Sequence, residues 1–179
     1  MKKKIVIGVC GSIAAYKVAL LIRQLQDKNW DIKVIMTESA TRFITPLTLE
    51  TLSKNQVYID MFKKDSAWEI SHISLSEFGQ ILLVMPATAN IIGKIASGIA
   101  DDLLSSTVMA FSGRVIFVPA MNTKMWENPI VQENVEKLKK FGYGFIGPEK
   151  GKLSNGTIGA GRLSDIEKII KALEKISRH

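Results

Sequence analysis

The chain is predicted to be an α/β protein, a Rossmann-like three-layer sandwich built on a mostly parallel sheet. Short apolar runs rich in β-branched residues recur along its 179 residues. Segments with apolar residues at helical spacing separate them, which implies βαβ units and a sheet covered on both faces. Glycines, hydroxyls and small residues fill the junctions where runs end and helical segments begin, the chemistry of strand-to-helix turns.

In order, residues 3–10 (KKIVIGVC) form a buried strand that Gly11-Ser12 ends. Ser12 caps a helix to about residue 28, with Ile13, Tyr16, Ala19, Leu20 and Ile22 as its apolar stripe. A strand over 31–37, short helices over 38–43 and 46–54 and a short strand over 57–62 follow. Residues 63–72 are the least regular connection. Residues 80–85 form a core strand closed by Pro86, and 88–98 a helix. Asp101-Asp102 caps a helix through residue 110, before a strand over 114–118, a helix over 129–140 and a strand over 142–146. Residues 148–162, glycine-rich and polar, are expected to be a flexible substrate flap without regular structure, because loops of that length are usually lids or disordered. Ser164-Asp165 caps a last helix with Ile166, Ile169, Ile170, Leu173 and Ile176 on one face.

Composition narrows the function classes. The chain is 46% hydrophobic and 23% charged, ordinary for a globular protein. No apolar run approaches the ~18 residues that span a bilayer, and glycines and a serine interrupt the N-terminal apolar stretch, so no signal peptide and a cytoplasmic location are expected. One cysteine, Cys10, excludes an internal disulfide and a cysteine-rich metal site, and no metal is expected. The net charge of +7 is not interleaved with aromatics, so nucleic acid is not an expected partner, whereas a phosphorylated ligand is compatible with it.

Several segments carry chemistry. PAMN, residues 119–122, follows a strand and precedes a helix, the place where open α/β sheets bind ligands. Asn122 offers a donor and an acceptor there, and Met125-Trp126 an apolar wall; by chemistry alone a helix cap is the alternative. Gly8–Ala14 (GVCGSIA) is not GxGxxG, and its residues leave phosphate binding and a plain tight turn both open. Thr37 and Ser39 open a short helix, as caps or as phosphate ligands. In PATAN, residues 86–90, small residues let a planar ring approach the backbone, with Thr88 and Asn90 at its edge. A lone histidine such as His72 is more often a satisfied surface group, and His179 lies at a terminus.

Taken together, PAMNTKMW resembles the PxMNxxMW motif of the flavin-dependent cysteine decarboxylases, with PAMN closer to the group acting on phosphopantothenoylcysteine than to the group modifying lantibiotic peptides. GSIA, the Thr37–Thr41 segment, PATAN and the HIxL segment at His72 resemble further family motifs, so the likeness covers nearly the whole chain. It implies FMN as cofactor, contacted by Gly11, Ser12, Ile13, Thr37, Ser39, Phe43, Thr88, Ala89, Asn90, Ile91 and Ala120. Ile91 replaces a family threonine, so any contact there is expected through its backbone. It implies His72 as the catalytic base and Asn122, Met125, Asn155 and Arg162 around the substrate. It also implies homotrimers, often assembled into dodecamers, with sites at subunit interfaces completed by a neighbouring chain.

The implied reaction decarboxylates 4′-phosphopantothenoylcysteine to 4′-phosphopantetheine in coenzyme A synthesis, through oxidation of the cysteinyl side chain to a thioaldehyde that drains electrons from the carboxylate. The flap departs from the family's LACGDxGxGR: Asn155 stands at the cysteine that donates a proton to the ene-thiol. An amide cannot act as a thiol of pKa about 8.5 does. Three rivals remain: a peptidyl-cysteine decarboxylase stopping at the ene-thiol, a prenyl-transferring flavoprotein, and a non-catalytic FMN-binding regulator. Many bacterial relatives carry a ligase domain after this one; residues 1–179 are expected to form the flavoprotein domain alone.

Overall fold

The computed structural model describes residues 2–62, 71–153 and 156–177. Six strands, β1 (Lys3–Val9), β2 (Trp30–Met36), β3 (Val57–Tyr58), β4 (Ile81–Ala87), β5 (Arg114–Pro119) and β6 (Gly144–Phe145), make one sheet in the order β3-β2-β1-β4-β5-β6. Every neighbouring pair is parallel. The pleat sorts side chains of β1 between two cores: Ile5, Ile7 and Val9 enter one, Val6 the other. The first core is closed by α1 (Tyr16–Asp27), α2 (Pro46–Ser53) and α8 (Ile166–Ile176). The second is closed by α3 (Ser71–Phe78), α4 (Ala89–Ala96), α5 (Leu103–Ala110) and α7 (Pro129–Lys140). This is the expected three-layer α/β sandwich. Among the described residues, no helix is long and apolar enough to cross a membrane.

Several expectations need correction. The expected α1 stripe is only partly right: Ile22 is buried with Val18, Leu21 and Leu25, and Ala19 packs against the core, whereas Ile13, Tyr16 and Leu20 stay exposed. Apolar residues lie on more than one face of the segment, so periodicity alone set the stripe partly off the buried side. Ser12 caps a 3₁₀ turn over Ile13–Ala15, and the α-helix starts after it. Strand β4 runs through Pro86 to Ala87, with an irregularity in its pairing to β5 between Val84 and Ala87; proline lacks the donor a regular ladder needs. Residues 63–70 of the expected irregular connection lie outside the described residues, but Ser71 and His72 already belong to α3, which sequence reasoning missed. The single turn α6 (Thr123–Trp126) was missed as well.

The flap is not structureless. β7 (Glu149–Lys152) and β8 (Ile158–Arg162) pair antiparallel in a hairpin. Backbone hydrogen bonds hold it where apolar side chains are few, which hides it from a search for hydrophobic period. At its foot, Asp165 precedes α8 without a side-chain cap bond; its carboxylate pairs with Arg162 at 3.1 Å instead.

Asp102 anchors α5 through a reciprocal capping box with Ser105 and pairs with Lys94 at 2.8 Å. Burial pushes its carboxyl pKa up, yet hydrogen bonds from Lys94 and Ser105 outweigh that and hold it below the usual carboxylate range. Its contribution is therefore present above the unfolded pKa of about 3.9 and lost as pH falls through the lower folded value. We expect Asp102→Ala to lower unfolding stability at neutral pH by about 1–2 kcal/mol in urea titrations, and Asp102→Asn, which keeps a cap acceptor, to lose less. Equal stability of wild type and Asp102→Ala would show that the cap contributes nothing.

Candidate active site

The strand order reverses between β1 and β4, and the crevice beyond their carboxyl ends is where open α/β sheets take ligands. Each strand reaching that crevice hands over to a turn closed by a short polar side chain. Ser12 Oγ accepts from Ala14 N at 3.3 Å, Thr37 Oγ1 from Ala40 N at 3.3 Å, and Thr88 Oγ1 from Ile91 N at 3.4 Å. Asn122 Oδ1 accepts from Lys124 N at 2.9 Å. The cap reading is thus correct for Ser12, Thr37 and Asn122, and Thr88, for which no cap was expected, is a cap as well. It does not exhaust them, because each hydroxyl keeps its own hydrogen to donate, and Asn122 keeps its amide Nδ2.

Two cavities open here, both within the range of small-molecule sites. The first, of about 880 Å³, is lined by Gly11, Thr37, Ser39, Thr88, Ala89, Asn90, Ile91 and Met125 among the expected site residues. The second, of about 590 Å³, is lined by Ser12, Ile13, Ala120, Asn122 and Arg162. Consecutive residues Gly11 and Ser12 line different cavities, so the two adjoin at the β1–α1 turn. Ile91 offers less than expected: its amide serves the Thr88 cap, and 1% of the residue is exposed.

Phe43 and His72 line neither cavity within one protomer. Phe43 is exposed at the end of the Glu38–Arg42 turn. His72 sits in the first turn of α3, and its Nδ1 is buried with no hydrogen-bond partner among the described residues. Asn122 lines the second cavity and His72 does not. Asn155 and His179 lie outside the described residues.

Among the contributors that sequence reasoning missed are three lysines. Lys94 enters the first cavity, held by Asp101 at 2.6 Å and Asp102 at 2.8 Å. Lys17 and Lys152 line the second. Their signal was faint, since isolated lysines read as solvated surface. Cys10 lines the first cavity yet is 2% exposed, and burial pushes its thiol up to about 12. No cluster of three or more histidine, cysteine or acidic side chains is placed to hold a metal among the described residues.

At its turns the first cavity offers neutral donors to a planar, phosphorylated cofactor, although Glu38, Asp60, Asp101 and Asp102 outnumber Lys94 along its lining. A Cβ on Gly11 would come within 2.5 Å of Ser39 Cβ, so only glycine lets the two turns close at its mouth. Donors come from the Thr37, Ser39 and Thr88 side chains and from the free amides opening α4. These features define a doubly wound α/β protein with a nucleotide-sized site at its switch point. Residues 1–177 match the Flavoprotein family, and the chain belongs to it; a flavin is its cofactor.

Relatives share this span. The chain is 46% identical over 171 residues to the coenzyme A biosynthesis bifunctional protein CoaBC of Borreliella burgdorferi, covering 96% of this chain and 44% of that protein. It thus spans less than half of that bifunctional relative. It is 46% identical over 177 residues to a probable phosphopantothenoylcysteine decarboxylase of Streptococcus mutans, covering 98% and 99% of the two chains. Among solved structures, a cysteine-to-serine mutant of PPC decarboxylase, complexed with pantothenoylaminoethenethiol, superimposes with a TM-score of 0.88 at 27% identity, covering all of both chains. The FMN-dependent cysteine decarboxylase SpaF gives 0.85 at 30% identity, covering 99% of this chain and 98% of that one.

The Gly11–Ser39 contact yields a test that separates fit from charge. Gly11→Ala should lose flavin, read as the ratio of visible to protein absorbance after purification, and adding Ser39→Gly should restore much of it. Full retention in the single variant would show that the turns need not close this tightly.

Proposed function

We propose that the chain is an FMN-dependent carboxy-lyase that converts 4′-phosphopantothenoylcysteine to 4′-phosphopantetheine in coenzyme A synthesis. The observation that supports it best is the meeting of Asn122, at the PAMN turn, and Arg162, at the root of the β7–β8 hairpin, in a cavity adjoining the flavin-sized one. The similarity to a probable decarboxylase along 99% of that relative's length points the same way.

The chemistry needs an electron sink, since a carbanion left by CO₂ beside an amide nitrogen has none. FMN, held by the turns around Gly11, Thr37 and Thr88, would supply the redox chemistry that makes a C=S sink available at the cysteinyl Cβ and later reduces the product. The thiol proton lost as C–S becomes C=S goes to a base, the role proposed for His72, whose buried Nδ1 has no other described partner. The carboxylate then lies β to the C=S. Its C–C bond breaks, CO₂ departs and an ene-thiolate forms. Asn122, with its oxygen committed to the cap, would present Nδ2 to the substrate carboxylate or amide.

His72 lies off both cavities of its own chain, so the proposed active unit is the homotrimer, in which a neighbour completes the site. Tyr16 and Leu20, 54% and 53% exposed, share a face of α1, and Ile13, 57% exposed, precedes them in the 3₁₀ turn, an apolar surface suited to such packing.

The purified protein should be yellow and release FMN on acid treatment; a colourless protein that FMN cannot reconstitute would refute the reading. His72→Asn should keep flavin and fold while turnover drops by about 10²–10⁴. Product mass over time decides the fate of the ene-thiol: if position 155 has an acid role, the wild type accumulates a product two hydrogens short and Asn155→Cys cures it. Identical rates of fully reduced product from both would show that the proton comes from elsewhere, such as bound water.

A further inference from the structure

Lys17, Lys152 and Arg162 line the second cavity with no carboxylate beside them, whereas carboxylates predominate in the first. Of the second cavity's lining side chains, Tyr16, Lys17 and Lys152 belong to the types that act as general acids. Arg162 does not: a guanidinium keeps its proton in proteins, and this one is shared between Glu149 at 2.9 Å and Asp165 at 3.1 Å. Lys152, the last residue of β7, is exposed and enters no ion pair among the described residues. No carboxylate holds its proton there, as Asp101 and Asp102 hold that of Lys94, and water can replace the proton once it is lost.

The hairpin ties Lys152 to the turn that carries Asn122. Gly151 pairs with Gly159 across the hairpin, and Lys152 with Ile158. Gly159 lies so close to Thr123, the residue after Asn122, that a Cβ on it would strike the threonine side chain. Tyr16 and Lys17 come instead from the first turn of α1, on the wall beside Ser12.

We propose, resting on the decarboxylation proposed above, that Lys152 is the acid of its last stage and protonates the ene-thiolate at the carbon that has lost CO₂. Asn122 would hold the carboxylate attached to that carbon, so the acid is needed on the Asn122 side of the cavity. The C=C electron pair takes the proton from Lys152 Nζ to form a C–H bond, a sulfur lone pair closes C=S, and the lysine is left neutral. The two electrons and one hydrogen withdrawn when the substrate's own C=S formed then return to this one through the flavin, leaving a thiolate and no net redox change. Transfer from an ammonium to an ene-thiolate cancels two charges, which a site partly withdrawn from water favours.

The test follows single anaerobic turnovers of the FMN-loaded protein on 4′-phosphopantothenoylcysteine, reading CO₂ release and product mass separately. Lys152→Gln should release CO₂ yet form the fully reduced product about 10²–10⁴ times more slowly, so that a product two hydrogens short accumulates. Lys152→Arg, which keeps the charge but not a transferable proton, should stall in the same way, and both variants should hold as much flavin as the wild type. Reduction at the wild-type rate in Lys152→Gln overturns the assignment, and its loss in Tyr16→Phe or Lys17→Gln instead moves the acid to α1. Reduction restored by arginine makes position 152 a charge and not an acid, and equally overturns it. So does an equal loss of CO₂ release and of reduction, the mark of a binding group. A wild type that releases CO₂ but stops at the ene-thiol overturns the inference and leaves the decarboxylation standing; one that releases no CO₂ overturns both.

Discussion

The reversal of strand order between β1 and β4 is the constraint from which the rest of the site follows. Parallel strands send all their carboxyl ends to one edge, and the reversal parts the connecting turns there. Helix amino ends collect at the same edge, each with amides that lack an internal partner. Ser12, Thr37, Thr88 and Asn122 answer that need as caps. Cap chemistry and ligand chemistry coincide because a short polar side chain that accepts from the backbone retains a donor for whatever lies in the crevice. A helix cap and a ligand contact are therefore compatible roles at these positions.

A second constraint couples the turn that carries Asn122 to the hairpin. Met121 N donates to Gly161 O at 3.0 Å, and Gly161 has φ of +123°, a conformation that side chains resist. A Cβ there would strike the Met121 carbonyl, and one on Gly159 would strike the Thr123 side chain. The root of the hairpin is thus laid backbone to backbone on the turn that carries Asn122. The Gly-x-Gly-Arg spelling, read in sequence as a loop signature, is a packing code. Arg162 shows the same dual use: it lines the second cavity while its ion pairs with Glu149 and Asp165 brace the hairpin against α8.

Legibility followed locality. The core strands and α8 were readable because both faces of the sheet are covered, which leaves near-continuous apolar runs and a clear Ile169-Ile170-Leu173 stripe. Most of the residues that local motifs pointed to line one of the two cavities, because strand-end turns are contiguous in sequence. Three things were not local. Which face of α1 is buried depends on what packs against it, so Ile13, Tyr16 and Leu20 were assigned to the wrong side. The hairpin depends on backbone pairing across a turn. The division of the crevice into an acidic and a basic cavity depends on side chains from α1, β7 and α4, far apart in the chain.

Burial decides what the lone described thiol can do. Cys10 borders the first cavity, and proximity alone would make it a stand-in for the flap cysteine that the sequence lacks. Desolvation outweighs the hydrogen bond to the Thr88 backbone and raises the thiol to about 12. An acid that weak holds its proton against an ene-thiolate, and the thiolate it would leave behind is the species that burial penalises. Cys10 also packs with Val6 and Leu104 in the second core, so it is part of the wall and not of the proton path. If the proposed reaction runs in the second cavity, its last proton donor must come from the flap, from solvent or from a neighbouring chain. That follows from where the fold buries its cysteine, whatever the identity of residue 155.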